Sequence, residues 1–240
     1  MDKKLYKLMN WPKIEEIIYS ECDNPHEILG PHKAGKDILI QCFYPGANSV
    51  ILRLMDKRKD IRMEMVDEGF FACLLPAKEM GEYRYVINDR ELGEILMLDS
   101  YRHKPLITRE DTDKFAKGIH YTIYEKLGAH PCELDGEEGT YFAVWAPNAM
   151  RVSVVGDFNN WDGRIHQMRR LWDSGIFELF IPQAMVGMNY KFEIKTPSGM
   201  TYLKADPYAN YSELRPKSAS VIKNIDDFIW NDDKFIQNRS

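Results

Sequence analysis

"DSGIFELFIP", residues 173–182, has a near twin at residues 67–76, "DEGFFACLLP". In each, an acidic turn ending in glycine opens a short apolar run that a proline closes. Four more pairs repeat in the same order. "HEILGPH" (26–32) is echoed by "YEKLGAH" (124–130), and "FYPGANSVIL" (43–52) by "WAPNAMRVSVV" (145–155). "GEYRYVI" (81–87) is echoed by "GMNYKFEI" (187–194), and "LDSY" (98–101) by "ADPY" (205–208). Self-similarity at a fixed period is the mark of a duplicated unit, and a period near a hundred residues is one small domain. The chain reads as two copies of one module.

Within each copy the period is two. Phe177, Leu179 and Ile181 alternate with Glu178 and Phe180, and Tyr190, Phe192 and Ile194 with Lys191, Glu193 and Lys195. In the first copy Tyr83, Tyr85 and Ile87 alternate with Arg84 and Val86. Short alternating runs punctuated by "YPGAN", "APNAM", "NNWDG" and "PSG" predict antiparallel sandwiches, with one face of each strand in the core and the other outward. The expected fold is all-β: two tandem immunoglobulin-like β-sandwiches with a short N-terminal helix and a short linker helix. The boundaries fall at 1–108 for the first module, with 1–23 a helical lead-in, then a linker at 109–119. The second module covers 120–226, and 227–240 is a tail. "NWPKIEEIIYSE" places Ile14, Ile17 and Ile18 on one helical stripe with Pro12 in the first turn. "TREDTDKFAKG" reads as a capped helix ending at Gly118.

Bulk composition narrows the function. The 240 residues are 44% hydrophobic and 29% charged with a net charge of −5, and the basic residues are scattered. Nucleic acid and anionic membranes are therefore poor partners. No apolar run approaches bilayer-spanning length, and "MDKKLYKLMNWPKIEE" lacks a secretory core, so a cytoplasmic protein is expected. Cys22, Cys42, Cys73 and Cys132 have no metal-ligand spacing and read as reduced thiols. No metal or cofactor is expected, and His26, His32, His120 and His130 are assigned to hydrogen bonds around loops.

One stretch differs between the copies. The second has "VVGDFNNWDG" (154–163) where the first has the solvated "LMDKRKD" (54–60). A tryptophan in a turn exposes apolar area, and a sandwich that needed it structurally would need a substitute in the first copy. An indole offers a flat surface to the C–H face of a sugar, while amide side chains both donate to and accept from neighbouring hydroxyls. Trp161 is the expected platform, with Phe158 folded down as a plug. Lys191 lies on the outward face of "YKFEIK" as a charged donor.

"VVGDFNNWDG", followed by "GMNYKFEI" and "KADPYA", resembles the family-48 carbohydrate-binding modules, which bind α-1,4-glucans. Together with "NPHEILGPH" upstream and "ADPYANYSELRPKSASVI" downstream, nearly the whole chain resembles the N-terminal half of the bacterial 1,4-α-glucan (glycogen) branching enzymes. In that family an N-terminal sandwich and the carbohydrate-binding sandwich precede a catalytic (β/α)8 barrel of the α-amylase superfamily. The resemblance implies that Trp161 stacks on glucose, that Lys191 contacts sugar, and that Asn159 and Asn160 bind it as well. Relatives carry a second stacking tryptophan in the next hairpin. Here "TPSGMTYLKADP" offers Tyr202 in that role.

Catalytic residues are not expected in this stretch. Retaining glycosyl transfer needs a carboxylate pair about 5 Å apart, and a barrel to carry it needs about 250 residues of its own. The acidic pairs 137–138, 226–227 and 232–233 read as solvated surface. Phe228, Ile229, Trp230, Phe235 and Ile236 make an apolar tail expected to pack on something, in this family the barrel. The expected partners are glycogen or linear α-1,4-glucan and the barrel of the same enzyme. Two other readings remain: a scaffold that packs on the barrel without binding sugar, and a standalone glycogen-binding regulatory protein.

Overall fold

The computed structural model describes residues 3–225 and 237–238. The apolar tail and the acidic pairs at 226–227 and 232–233 lie outside the described residues.

Two short helices open the chain, α1 (Lys3–Leu8) and α2 (Trp11–Ile18). Eight strands follow: β1 (Gly30–Ala34), β2 (Asp37–Phe43), β3 (Ala47–Leu54), β4 (Lys59–Arg62), β5 (Glu64–Asp67), β6 (Phe70–Pro76), β7 (Tyr83–Asp89) and β8 (Gly93–Met97). They form two antiparallel sheets, β1-β2-β6-β5 and β4-β3-β7-β8. Ile40, Phe71 and Leu75 from one sheet meet Val50, Leu52, Tyr85 and Ile87 from the other in a closed core. After helix α3 (Arg109–Ala116) the pattern recurs. Its strands are β9 (Gly128–Leu134), β10 (Glu137–Trp145), β11 (Arg151–Gly156), β12 (Arg169–Arg170), β13 (Ile176–Pro182), β14 (Asn189–Lys195), β15 (Thr201–Lys204) and β16 (Ser220–Val221). The sheets are β12-β13-β10-β9 and β11-β14-β15, with β16 also pairing β14. Phe142, Phe177 and Leu179 pack on Val152, Val154, Tyr190 and Phe192.

The repeated sequence pairs do repeated jobs. Tyr83 and Tyr85 donate their hydroxyls to Asp99, whose other oxygen accepts the Tyr101 amide. Tyr190 donates to Asp206, whose other oxygen accepts the Tyr208 amide. His32 and His130 each bond through Nε2 at 3.0 Å to the carbonyl three residues back. A Cβ on Gly69 would strike Pro45, and one on Gly175 would strike Pro147, so each glycine lets its hairpin cross a proline.

Period two holds for the cores, but the expectation that the opposite faces look outward fails for one sheet of each sandwich. Leu39, Phe43, Phe70 and Ala72 are buried beneath α1 and α2, where Leu5, Ile14 and Ile17 cover them. Tyr141, Ala143, Ile176 and Phe180 are buried beneath Ile107, Leu127 and the half-buried Phe115 of α3. These strands are apolar on both faces because each sheet is the middle of three layers. Helix α3 begins at Thr108, where Thr108 and Asp111 form a reciprocal capping box, and gives way to a left-handed Gly118. It is a lid as well as a connection.

The sandwiches are joined by polar bonds around the segment 162–171. Tyr101 donates its hydroxyl to the Ile165 carbonyl and accepts the Gln167 amide, and Ile165 itself enters the first core. Gln167 donates to the Ile17 carbonyl, Arg151 to the Ser20 carbonyl, and the Arg170 amide to the Asp23 carbonyl. Arg169 reaches the His103 carbonyl and the fully buried Glu178.

Candidate functional site

The stretch that distinguishes the second copy is a tight loop leaving β11. The Asn159 carboxamide is its internal brace. Its oxygen accepts the Gly156 amide at 2.9 Å, which settles which end is nitrogen; that nitrogen donates to the Val154 carbonyl and to His166 Nδ1, both at 2.9 Å. Burial pushes the His166 pKa down to about 3, so the ring is neutral and its Nδ1 can accept. With 4% of its surface exposed and both ends of its amide engaged, Asn159 is enclosed within the loop. The resemblance implies a sugar contact at Asn159 from its place in the motif; the fold turns its amide into the loop.

Asn160 and Trp161 then occupy the two central positions of a turn closed by the Asp162 amide on the Asn159 carbonyl at 3.0 Å. Both have positive φ, 51° and 62°. That is the backbone of a type I′ turn, where Asn is at home and a bulky residue is strained by about 1–3 kcal/mol. The indole is 38% exposed, and its Nε1 points to Asp157 Oδ1 at 3.3 Å. Asp157 Oδ2 in turn accepts the backbone and side-chain N–H groups of Asn189. Phe158 folds down as expected, half-buried against Phe142 and His166.

The register shows what lies beneath. Asn189, Lys191 and Glu193 alternate onto one face of β14, and a Cβ on Gly163 would strike the Glu193 carboxylate, so the turn overhangs that face. Lys191 is thus on Trp161's side of the sheet, half-buried, with Nζ donating to Ser218 Oγ at 2.9 Å. Tyr202 is not. It pairs with Ile194, whose side chain faces the core, so Tyr202 lies on the face opposite Lys191 and is 42% exposed. The structure brings together Trp161, Asn160 and Lys191, and leaves Asn159 beneath and Tyr202 apart.

The histidines follow the expected loop roles with one exception. His120 bonds Asp111 Oδ1, but neither ring nitrogen of the half-buried His26 finds a partner, because the ring is pressed edge-on against Tyr101. Among the described residues no group of three or more His, Cys, Asp or Glu could hold a metal, and no helix is long and apolar enough to cross a membrane.

This combination, an indole raised on a strained turn over the face of a duplicated β-sandwich, defines the class. Residues 126–209 match the model of carbohydrate-binding module 48 (isoamylase N-terminal domain). Residues 10–101 match that of the alpha-1,4-glucan branching enzyme GlgB N-terminal domain, and nearly the whole chain is similar to the N-terminal part of 1,4-alpha-glucan branching enzymes. It is similar to 1,4-alpha-glucan branching enzyme GlgB of Gloeobacter violaceus, 46% identical over 232 residues. That match covers 95% of this chain and 31% of the relative. The enzyme of the same name from Synechocystis sp. is 41% identical over 238 residues, covering 96% and 31%. The chain therefore spans about a third of the length of the curated relatives it matches. A pullulanase from Anoxybacillus sp. LM18-11, solved with maltotetraose, aligns at a TM-score of 0.37 and 20% identity over 84% of this chain and 27% of that one. That likeness is too loose to carry over any residue or ligand. The described residues contain no (β/α)8 barrel.

Proposed function

We propose that the second sandwich binds linear α-1,4-glucan at Trp161, and that the chain presents bound glucan to the α-1,4 to α-1,6 transfer chemistry named in its relatives. The carrying observation is the indole itself. A large aromatic held at a strained left-handed position still leaves more than a third of its surface in water, and a flat apolar surface over a polar rim suits a pyranose. Asn160 supplies an adaptable amide at the tip and Lys191 a cationic donor below. Native affinity electrophoresis in glycogen gels tests the reading: the protein is retarded, and Trp161→Ala is retarded clearly less. Equal retardation of both would refute it.

A scaffold role is favoured by a different observation. Tyr202 and Leu203 are exposed on opposite faces of β15, and Tyr211 and Leu214 beyond it, apolar side chains available for docking against a further domain, here the barrel of the same enzyme. The free cysteines, three of them buried, are consistent with a reducing, cytoplasmic setting.

A further inference from the structure

Trp161 has a counterpart that the loop motif does not include. Trp172 follows β12, at the opposite end of the second sandwich, and it too has a left-handed backbone, φ 49°. The two are the tryptophans among the seven non-glycine residues of positive φ in the described structure. Trp172 is 40% exposed, and the guanidinium of Arg109 lies 4.7 Å from its ring centre, covering one face.

That ring forms one wall of a cleft of about 460 Å³ between the sandwiches, within the size range of small-ligand sites. Asp23, Asn24 and Glu27 of the first copy and Arg169 and Arg170 of the second share its lining. Arg169 is paired with the buried Glu178 at 2.7 Å, which leaves Asp23 and Glu27 matched by Arg170 and by Arg109 beside Trp172, so the cleft has no strong preference for an anion or a cation. Its polar groups are planar amide, carboxylate and guanidinium groups, suited to neighbouring hydroxyls. Asn24 Nδ2 donates to Glu27 Oε1 at 2.8 Å, so the two form one polar edge, while Asn24 Oδ1, Arg170 Nε and both His26 ring nitrogens are buried behind it with no partner in the protein. The walls are held in place by the Arg170–Asp23 backbone bond and by Arg169 on the His103 carbonyl.

We propose that this cleft is a second saccharide site, with Trp172 as the platform and Asp23, Asn24, Glu27 and Arg170 as hydroxyl partners. An uncharged, hydroxyl-rich ligand satisfies both the balanced charge and the flat apolar wall. The choice of an α-glucan segment as occupant rests on the glucan-binding reading of Trp161. The site exists only where both copies meet, and the two tryptophans lie at opposite ends of the second sandwich.

The test follows the indole N–H signals of the full chain by 1H–15N NMR during titration with maltoheptaose, each signal assigned from its Trp→Asn variant. The Trp172 signal is expected to shift on saturation, to shift equally in Trp161→Asn, and to need about fivefold more sugar in Glu27→Ala, whose residue is exposed and removable without unfolding. A Trp172 signal that stays still while Trp161 responds overturns the cleft and leaves the Trp161 site standing, the cleft then holding water only. Movement of Trp172 with Trp161 unmoved establishes the cleft and refutes the Trp161 reading. If neither moves, both fall.

Discussion

A single turn separates two kinds of residue that the sequence writes side by side. Asn159 is enclosed and braces the loop, while Trp161, two positions on, is lifted out on a left-handed backbone. Their substitutions should therefore part company. Trp161→Asn puts a residue tolerant of positive φ into the strained position, and should leave stability within about 1 kcal/mol of native while clearly weakening retardation in glycogen gels. A large loss of melting temperature would instead show the indole to be a plug. Asn159→Ala strips the partners from the Gly156 amide and the Val154 carbonyl, both inside the loop. Unmet buried groups cost about 1–3 kcal/mol each, so thermal melting should fall by several degrees. Trp161 was legible because a tryptophan among turn residues is anomalous by itself. Asn159 was not, since Asn is an ordinary turn residue whether it faces in or out.

At the scale of elements, β11 and β14 set the site. Gly156 is extended, and its role is steric: a Cβ there would lie 2.3 Å from the Asn189 carbonyl and 2.8 Å from the Phe158 ring. Gly156→Ala should push β14 from the loop and break the Asp157–Asn189 bonds that orient the indole. The expected result is joint loss of stability and of glucan retardation, in contrast to Trp161→Asn, and calorimetry beside the same gels separates the two patterns. Alternation along these strands was readable, as was the capped helix at Thr108. The second buried face of the β1-β2-β6-β5 and β12-β13-β10-β9 sheets was not. Glu178 looked like the outward residue of an alternating strand, yet it is fully buried and accepts from Arg169, Tyr141 and the amides of Leu106 and Ile107. A polar residue in an outward register gives no sign of the helix or loop that will cover it.

The whole molecule is held at its waist by charges and histidines that face both sandwiches. Arg169→Leu would leave the Glu178 carboxylate buried without its cation and release the His103 carbonyl. Breaking a buried pair of this kind costs about 3–5 kcal/mol, and calorimetry should show a lower melting temperature and a broader transition as the sandwiches uncouple. Acid should loosen the same region. The His166 pKa is pushed down to about 3 by burial, from an ordinary value of 6.5 that it regains on unfolding. His26 is lowered too, by burial and then by the charge of Arg169. Below pH 6.5 the unfolded chain therefore binds protons that the folded one refuses. Stability should be flat above that pH and fall below it, by about 1.4 kcal/mol per pH unit for each ring. Asp99 and Asp206, raised by burial, act in the opposite sense at the acid end. Melting at pH 5 against pH 7.5 checks this, with a shallower loss expected for His166→Gln.

Duplication, strand periodicity, helix caps and the odd tryptophan at 161 were determined by the sequence alone, because each depends on residues near one another in the chain or on a repeat that can be counted. Tertiary structure alone decided which face of Asn159 and Tyr202 is seen, that one sheet of each sandwich is a middle layer, and that Trp172 forms a cleft with Asp23 and Asn24. Those outcomes depend on what comes to rest against a residue from far away in the chain. Local pattern carries the propensity of a segment but not the identity of its distant neighbours, and it is those neighbours that settle burial, charge and access.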